Sequence, residues 1–266
     1  MVSKNNGSLF YFGGRILLAT KGLNTDAHSH YAVSVLISLD VPFQLTHKNG
    51  ITTEHMVTLI PPNYFHTLSA ETSEMIVLQF DPKSSDFDSF KQKCAKYEPT
   101  EFKWELIQLI MPNLKSILAG NLNCESALEL YYKILNCLGG EPIRQNPLDQ
   151  RMENVLNLIE STLPESISVS SLSKRIGISE DRFMHWFKEE FGIPLRQYLL
   201  WRRLHIAANL LQKGTNLTEA SHAAGFADQS HLSKTFRKMF GVPPSKFLGH
   251  SEHFKVCFCN LQAKLA

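Results

Sequence analysis

The stretch RIGISEDRFMHWFKEEFGIP at positions 175–194 returns, altered but in register, as AAGFADQSHLSKTFRKMFGVPP at 223–244. Phe187, Phe191, Gly192 and Pro194 reappear 49 residues later as Phe236, Phe240, Gly241 and Pro243, and Gly177 reappears after 48 as Gly225. Two copies cannot form a solenoid, which needs at least about three units to bury its faces. The pair must therefore be two like modules held by something else.

Each copy has the same internal grammar. Polar segments with apolar residues at three- and four-residue spacing read as helices. Ser170–Gly177 is a short helix closed by glycine, and Ser179 is placed to cap the next one, which ends before Gly192. LTEASHAAG and DQSHLSKTFRKMFG repeat the order of short helix, turn and capped helix. A short helix, a tight turn and a second helix make a helix-turn-helix, whose second helix can enter a DNA major groove. Between the copies, residues 194–213 form one long helix favoured at its start by Pro194 and closed by Gly214. About 20 residues span roughly 30 Å, close to the ~34 Å between successive major grooves on one face of DNA. Ile176, Ile178, Phe183, Phe187 and Phe191 form the inward stripe of the first copy; Ala224, Phe226, Leu232, Phe236 and Phe240 form that of the second.

These residues carry a family resemblance. Segment 150–248 resembles the AraC/XylS transcription regulators at Ile178, Phe187, Gly192, Pro194, Tyr198, Leu199, Arg203, Leu204, Ala207, Leu210 and Leu211. It matches again in the specific block GF-x-D-x-S-x-L-x-x-x-F, here Gly225, Phe226, Asp228, Ser230, Leu232 and Phe236. The resemblance implies a bilobal domain in which the exposed faces of both second helices meet double-stranded DNA. Those faces carry Arg182, His185 and Lys188 in the first unit and Gln229, Ser230, His231 and Lys234 in the second. A glutamine can bond adenine bidentately, and a lysine can reach guanine or phosphate. Glu180 and Asp181 suit the positive end of a helix instead. Arg196, Arg202 and Arg203 are candidates for phosphate or internal pairing.

Charge follows this division. The whole chain carries a formal +2, whereas residues 170–248 carry 12 basic and 6 acidic side chains, a balance suited to a polyanion.

The first 80 residues have another texture. ILLAT (16–20), AVSVLISL (32–39), FQLTH (43–47), MVTLI (56–60) and EMIVLQF (74–80) are short β-rich runs separated by turn signals, among them Asn49-Gly50. His28-Ser29-His30 and the later Pro61-Pro62-Asn63-Tyr64-Phe65-His66 resemble the two metal motifs of cupin barrels, with Asn63 in a glycine slot. Asparagine tolerates the left-handed region better than most residues. Val33, Ser34 and Val35 stand where the cupin pattern supplies a glutamate. No cofactor is expected; a metal ion at His28, His30 and His66 is the alternative, since imidazole suits zinc and iron. Residues 84–140 read as amphipathic helices, with Pro112 placed to kink or split the second. Phe102, Leu106, Leu109 and Ile110, and Leu128, Tyr131, Tyr132 and Leu135, form stripes that would cover the barrel or a dimer partner.

The expected fold is α+β. A cupin-like β-barrel occupies 1–82 and helices 83–140; an all-α domain at 148–248 holds two helix-turn-helix units joined by a long helix, and a tail follows at 249–266. Five cysteines without a CxxC pair, and no apolar run of the roughly 20 residues a membrane helix needs, point to a cytoplasmic protein with reduced thiols. The expected function is sequence-specific DNA-binding regulation with an effector-sensing or dimerising front half, not catalysis. A small-molecule effector, RNA polymerase and a second copy of the chain are the further partners considered, and no membrane.

Overall fold

The β-rich runs of the first 80 residues form strands, and residues 150–240 are helical in the segments described. The computed structural model describes residues 7–12, 15–80, 85–94, 98–139, 150–191, 194–240, 242–245 and 254–259. Two compact units emerge, one of residues 1–143 with 236–266 and the other of residues 144–235.

In the first unit the strands are β1 (Gly7–Tyr11), β2 (Arg15–Asn24), β3 (Val33–Ser38), β4 (Phe43–His47), β5 (Thr52–His55), β6 (Val57–Ile60), β7 (His66–Phe80), β8 (Thr100–Glu101) and β9 (Phe254–Phe258). They pair in the order β8-β6-β3-β7-β2-β1-β9, with β4 joined to β5 and β7. Among the described residues no ladder joins β8 to β9, so the expected barrel is not closed and the cupin likeness is approximate. The long β7 organises the sheet. Its first residues pair with β4 and its last six with β3, while β2 follows it along most of its length. Asn49 and Gly50 sit in the β4–β5 hairpin, as their turn chemistry requires.

Helices α1 (Ser85–Lys93), α2 (Glu105–Gln108), α3 (Met111–Leu118) and α4 (Cys124–Cys137) share one core with the sheet. Val35, Ile37, Leu78 and Phe80 meet Phe90, Ile107, Leu114, Ile117, Tyr131 and Ile134 there. The chain divides at Pro112, which lies in the first turn of α3 where its missing N–H does no harm. The stripe expected through Leu106 and Leu109 is corrected. Leu109 is 87% exposed and Leu106 is exposed too; Ile110 is buried as expected, and Ile107 joins it. The break between α2 and α3 resets the helical phase that a continuous helix would have kept.

Two findings concern the tail. Residues 254–258 form an edge strand parallel to β1. Cys259 is disulfide-bonded to Cys124 at the start of α4. The expectation of five reduced thiols is thereby corrected, leaving Cys94, Cys137 and Cys257 free. A bond between residues 135 apart leaves no local spacing signal, so composition alone could not find it.

The second unit is helical: α5 (Gln150–Thr162), α6 (Val169–Arg175), α7 (Glu180–Phe191), α8 (Leu195–Gln212), α9 (Leu217–Ala223) and the start of α10 (Gln229–Phe240). Capping follows the sequence. Ser168 accepts the Ser171 N–H, Ser179 the Arg182 N–H, Asn216 the Glu219 N–H and Asp228 the His231 N–H. Phe183, Phe187 and Tyr198 pack in series around the first helix-turn-helix, with tilted rings whose centroids lie 6.0 and 5.7 Å apart. Ala224, Phe226 and Leu232 are buried around the second. Gly192 and Gly241 lie outside the described residues. Among the described residues no helix is long and apolar enough to cross a membrane.

Candidate functional site

Burying the apolar stripe of α7 and α10 turns the intervening residues outward, because a helix buries one face at a time. Arg182, His185 and Lys188 are exposed on α7, and Gln229, Ser230, His231 and Lys234 are exposed on α10. Glu180 and Asp181 are exposed in the first turn of α7, and Met184 is half exposed beside them. Some of these side chains are already oriented. The Thr218 hydroxyl donates to Gln229 Oε1 at 3.0 Å, leaving the amide hydrogens of Gln229 as outward donors. The His231 ring packs edge-on against Phe226 at 5.3 Å, fixing its position on the helix.

The turn before α10 depends on Gly225, whose φ is +81°. A Cβ there would lie 2.5 Å from the Pro164 carbonyl oxygen and 3.1 Å from Arg203 Nε. Gly177, its counterpart before α7, also has positive φ (+72°), yet a Cβ there would meet nothing within 4 Å. Of the arginines considered for phosphate, Arg202 pairs with Glu160 at 2.5 Å. Glu160 also accepts from the Tyr198 hydroxyl at 3.1 Å. These groups tie α5 to α8. Arg203 lies against the Gly225 turn, and Arg196 remains exposed.

In the first unit, the structure brings together the three histidines singled out from sequence. His28, in the connection between β2 and β3, exchanges two backbone hydrogen bonds of 3.0 Å with His66 at the head of β7. Asn63 adopts the left-handed conformation its slot demands (φ 63°), and its N–H donates to the His30 carbonyl at 2.7 Å. Loop 61–65 is thereby fastened to the His28–His30 segment. The ring centroids of His28 and His66 are 4.5 Å apart, and His30 lies 5.6 Å from each. All three side chains are buried, and one ring nitrogen from each lies within 4.8 Å of the others.

The tautomers follow from the partners. His28 Nδ1 is 2.9 Å from the Asp26 carbonyl, His30 Nδ1 2.8 Å from that of Ala32, and His66 Nδ1 3.0 Å from that of Tyr64. A carbonyl only accepts, so each Nδ1 carries the hydrogen and each neutral ring keeps its lone pair on Nε2. Burial pushes all three pKa values down, that of His66 to about 4, and the neighbouring imidazoles push the same way on His30 and His66. Ser34, in the missing glutamate's neighbourhood, places its Oγ 3.3 Å from His30 Nε2.

Sequence reading missed a polar chain beside this cluster. Tyr64 Oη lies 2.6 Å from His47 Nδ1; His47 Nε2 and His55 Nε2 both reach Thr53 Oγ1, at 2.7 and 2.6 Å; and His55 Nδ1 meets Glu101 at 2.5 Å. Its signal was the polar run TTEH, which as an apolar-poor edge strand shows no hydrophobic pattern.

Comparison with known proteins bears on the helix-turn-helix segment and on the fold. A helix-turn-helix domain family model matches residues 172–250. The multiple antibiotic resistance protein MarA of Escherichia coli is 31% identical over 105 residues, covering 39% of this chain and 83% of MarA. The probable transcriptional regulator LumQ of Photobacterium leiognathi is 34% identical over 101 residues, 37% of this chain but only 41% of LumQ's own length. Among solved structures, an apo single-substitution variant of ToxT from Vibrio cholerae superposes with a TM-score of 0.55 at 13% identity, covering 90% of this chain and 98% of that one. A wild-type ToxT bound to an unsaturated fatty acid gives the same score at 14% identity. At that identity the likeness speaks for the fold alone.

Proposed function

We propose, for a chain that belongs to the AraC/XylS family of transcriptional regulators, that its paired second helices read a specific DNA sequence and that its N-terminal unit tunes this binding. The carrying observation is the alternation along α7 and α10. Phe183, Phe187, Leu232 and Phe236 are buried, while Arg182, His185, Lys188, Gln229, Ser230, His231 and Lys234 are exposed. The 18 residues of α8 extend about 27 Å. That length suits two readers in adjacent major grooves, which lie about 34 Å apart.

Lys234 is assigned to guanine or phosphate and Gln229 to adenine, with the Thr218 hydroxyl holding the Gln229 amide in place. His231, Ser230, Arg182, His185 and Lys188 complete the contact set. DNA binding, not catalysis, is the activity, and the cytoplasm is where it takes place. The front unit shifts the population of binding-competent molecules when a small-molecule effector, RNA polymerase or a second copy engages it. The fatty acid seen in ToxT makes an apolar acid a reasonable first effector to try.

The test is selection of binding sequences from a random duplex library with the purified full chain, followed by titration of variants on the selected site. Lys234→Ala and Gln229→Ala should each weaken specific binding by roughly 1–3 kcal/mol. Failure to enrich any sequence, or unchanged affinity in both variants, would refute the reading.

A further inference from the structure

We propose that His28, His30 and His66 form a three-imidazole site for a divalent late first-row metal ion, zinc foremost, bound through each Nε2 with a fourth place left to water or a small anion. Ligating histidines are usually fixed by a hydrogen bond from their other nitrogen to a carbonyl or carboxylate, which sets the tautomer and aims the lone pair. Here all three Nδ1 atoms donate to carbonyls only two residues away, those of Asp26, Ala32 and Tyr64. The three Nε2 lone pairs are thus fixed before any ion arrives.

The backbone is built for the same meeting. The paired bridge between His28 and His66, with the Asn63 bond to the His30 carbonyl, holds segments 33 or more residues apart in sequence against each other. Three buried imidazoles facing one another have little other use for their lone pairs, and Ser34 Oγ is the hydroxyl that reaches one of them.

The donor set selects the metal. Zinc takes imidazole at about 2.0–2.1 Å, which in a tetrahedron sets ligand nitrogens roughly 3.3 Å apart. The present separations of up to 4.8 Å close to that by ring movements on the order of 1 Å. Hard ions such as magnesium and calcium want oxygen ligands, and the iron facial triad wants a carboxylate. Position 34 supplies a hydroxyl and its neighbours Val33 and Val35 supply none, so three neutral nitrogens remain. An ion on three neutral ligands keeps its full double charge, and its fourth place therefore favours water or an anion. This inference does not depend on the DNA-reading proposal.

The experiment uses the full chain, stripped with chelator, with free thiols alkylated so that Cys94, Cys137 and Cys257 cannot bind metal, then equilibrated with zinc and dialysed. Elemental analysis should give about one zinc per chain. His28→Gln and His66→Gln should each lose most of it at the same free zinc, with far-UV circular dichroism unchanged. Less than about 0.2 equivalents in the wild type, or undiminished zinc in both variants, would overturn the site. If the variants do not fold, cobalt(II) in the wild-type chain decides. Intense visible bands of four-coordinate cobalt support the site, whereas the weak spectrum of six-coordinate cobalt overturns it.

Discussion

The two turn glycines provide a test of whether the repeated modules are packed as described. Gly177 and Gly225 occupy the same position in their helix-turn-helix units, and both have positive φ. Alanine at either one meets the left-handed penalty of roughly 1–2 kcal/mol. Part of it is offset by the lower entropy of the unfolded alanine chain, about 0.4–1 kcal/mol. Gly177→Ala should therefore destabilise by about 1 kcal/mol, because its Cβ enters open space. Gly225→Ala adds a Cβ 2.5 Å from the Pro164 carbonyl oxygen, which is backbone and cannot swing aside, and 3.1 Å from Arg203 Nε. Forcing an atom into such a space typically adds 1–3 kcal/mol. The total for Gly225→Ala should be about 2–4 kcal/mol. Urea unfolding followed by tryptophan fluorescence measures the difference in a Trp104→Phe background, where the remaining Trp186 and Trp201 both lie in the second unit. Equal midpoint shifts for the two substitutions would refute the assigned contact between the Gly225 turn and residue 164.

Three further outcomes are expected. Asp181→Ser gives the first helix-turn-helix the residue that the second carries at the same register, Ser230. It should tighten DNA binding at low salt by roughly 0.5–1 kcal/mol, an effect that shrinks as salt is raised, and unaltered affinity at about 50 mM salt would count against phosphate proximity. Chain purified without reductant should titrate with three free thiols and yield a linked Cys124–Cys259 peptide. Cys259→Ser should lower thermal stability, with about 5 kcal/mol as the chain-entropy ceiling for so long a loop, and five titratable thiols would contradict the pairing. In chelator-treated protein the depressed histidine pKa values predict acid sensitivity. The unfolded chain takes up protons near pH 6.5 and folded His66 only near pH 4, so stability is complete above 6.5 and falls by about 1.4 kcal/mol per unit across that window. A flat stability profile from about pH 7 to 4.5 in wild type, unchanged by His66→Gln, would disprove it.

Much of this architecture was legible because periodicity and caps are local. Ser179 was identifiable as a cap from the sequence, and Ser168, Asn216 and Asp228 start their helices in the same way, each with a side-chain oxygen that meets an orphan N–H. Asn63 was identifiable as a left-handed residue for a similar reason. What stayed hidden depended on partners distant in sequence. Strand β9 pairs with β1 across more than 240 residues, and Cys259 reaches Cys124 across 135. β5 is polar and half exposed, so it lacks the alternation that marks a buried strand. Sheet closure was equally invisible, since edge pairing is decided by the curvature of a whole sheet rather than by any run within it. The histidines could be listed from sequence, but the commitment of each Nδ1 to a carbonyl could not.

The repeat also separates what the modules share from what they do not. Shifting by 49 residues aligns Glu180 with Gln229, Asp181 with Ser230, Arg182 with His231 and His185 with Lys234. All eight are exposed, while the aligned packing residues Phe183 and Leu232, and Phe187 and Phe236, are buried. With histidines neutral, the four outward residues of the first helix-turn-helix sum to one negative charge and those of the second to one positive. Near a phosphate about 8 Å away in water, a difference of two charges amounts to roughly 1 kcal/mol, and more where water is displaced. If both helix-turn-helix modules face DNA as proposed, the second holds the backbone more firmly and the first contributes chiefly through the bases it accepts or rejects. The scaffold permits this divergence because the stripe that builds each helix and the residues that would touch DNA lie on opposite sides of it. Selection can then revise the reading face without disturbing the packing, and two copies of one fold can do unequal work on a single site.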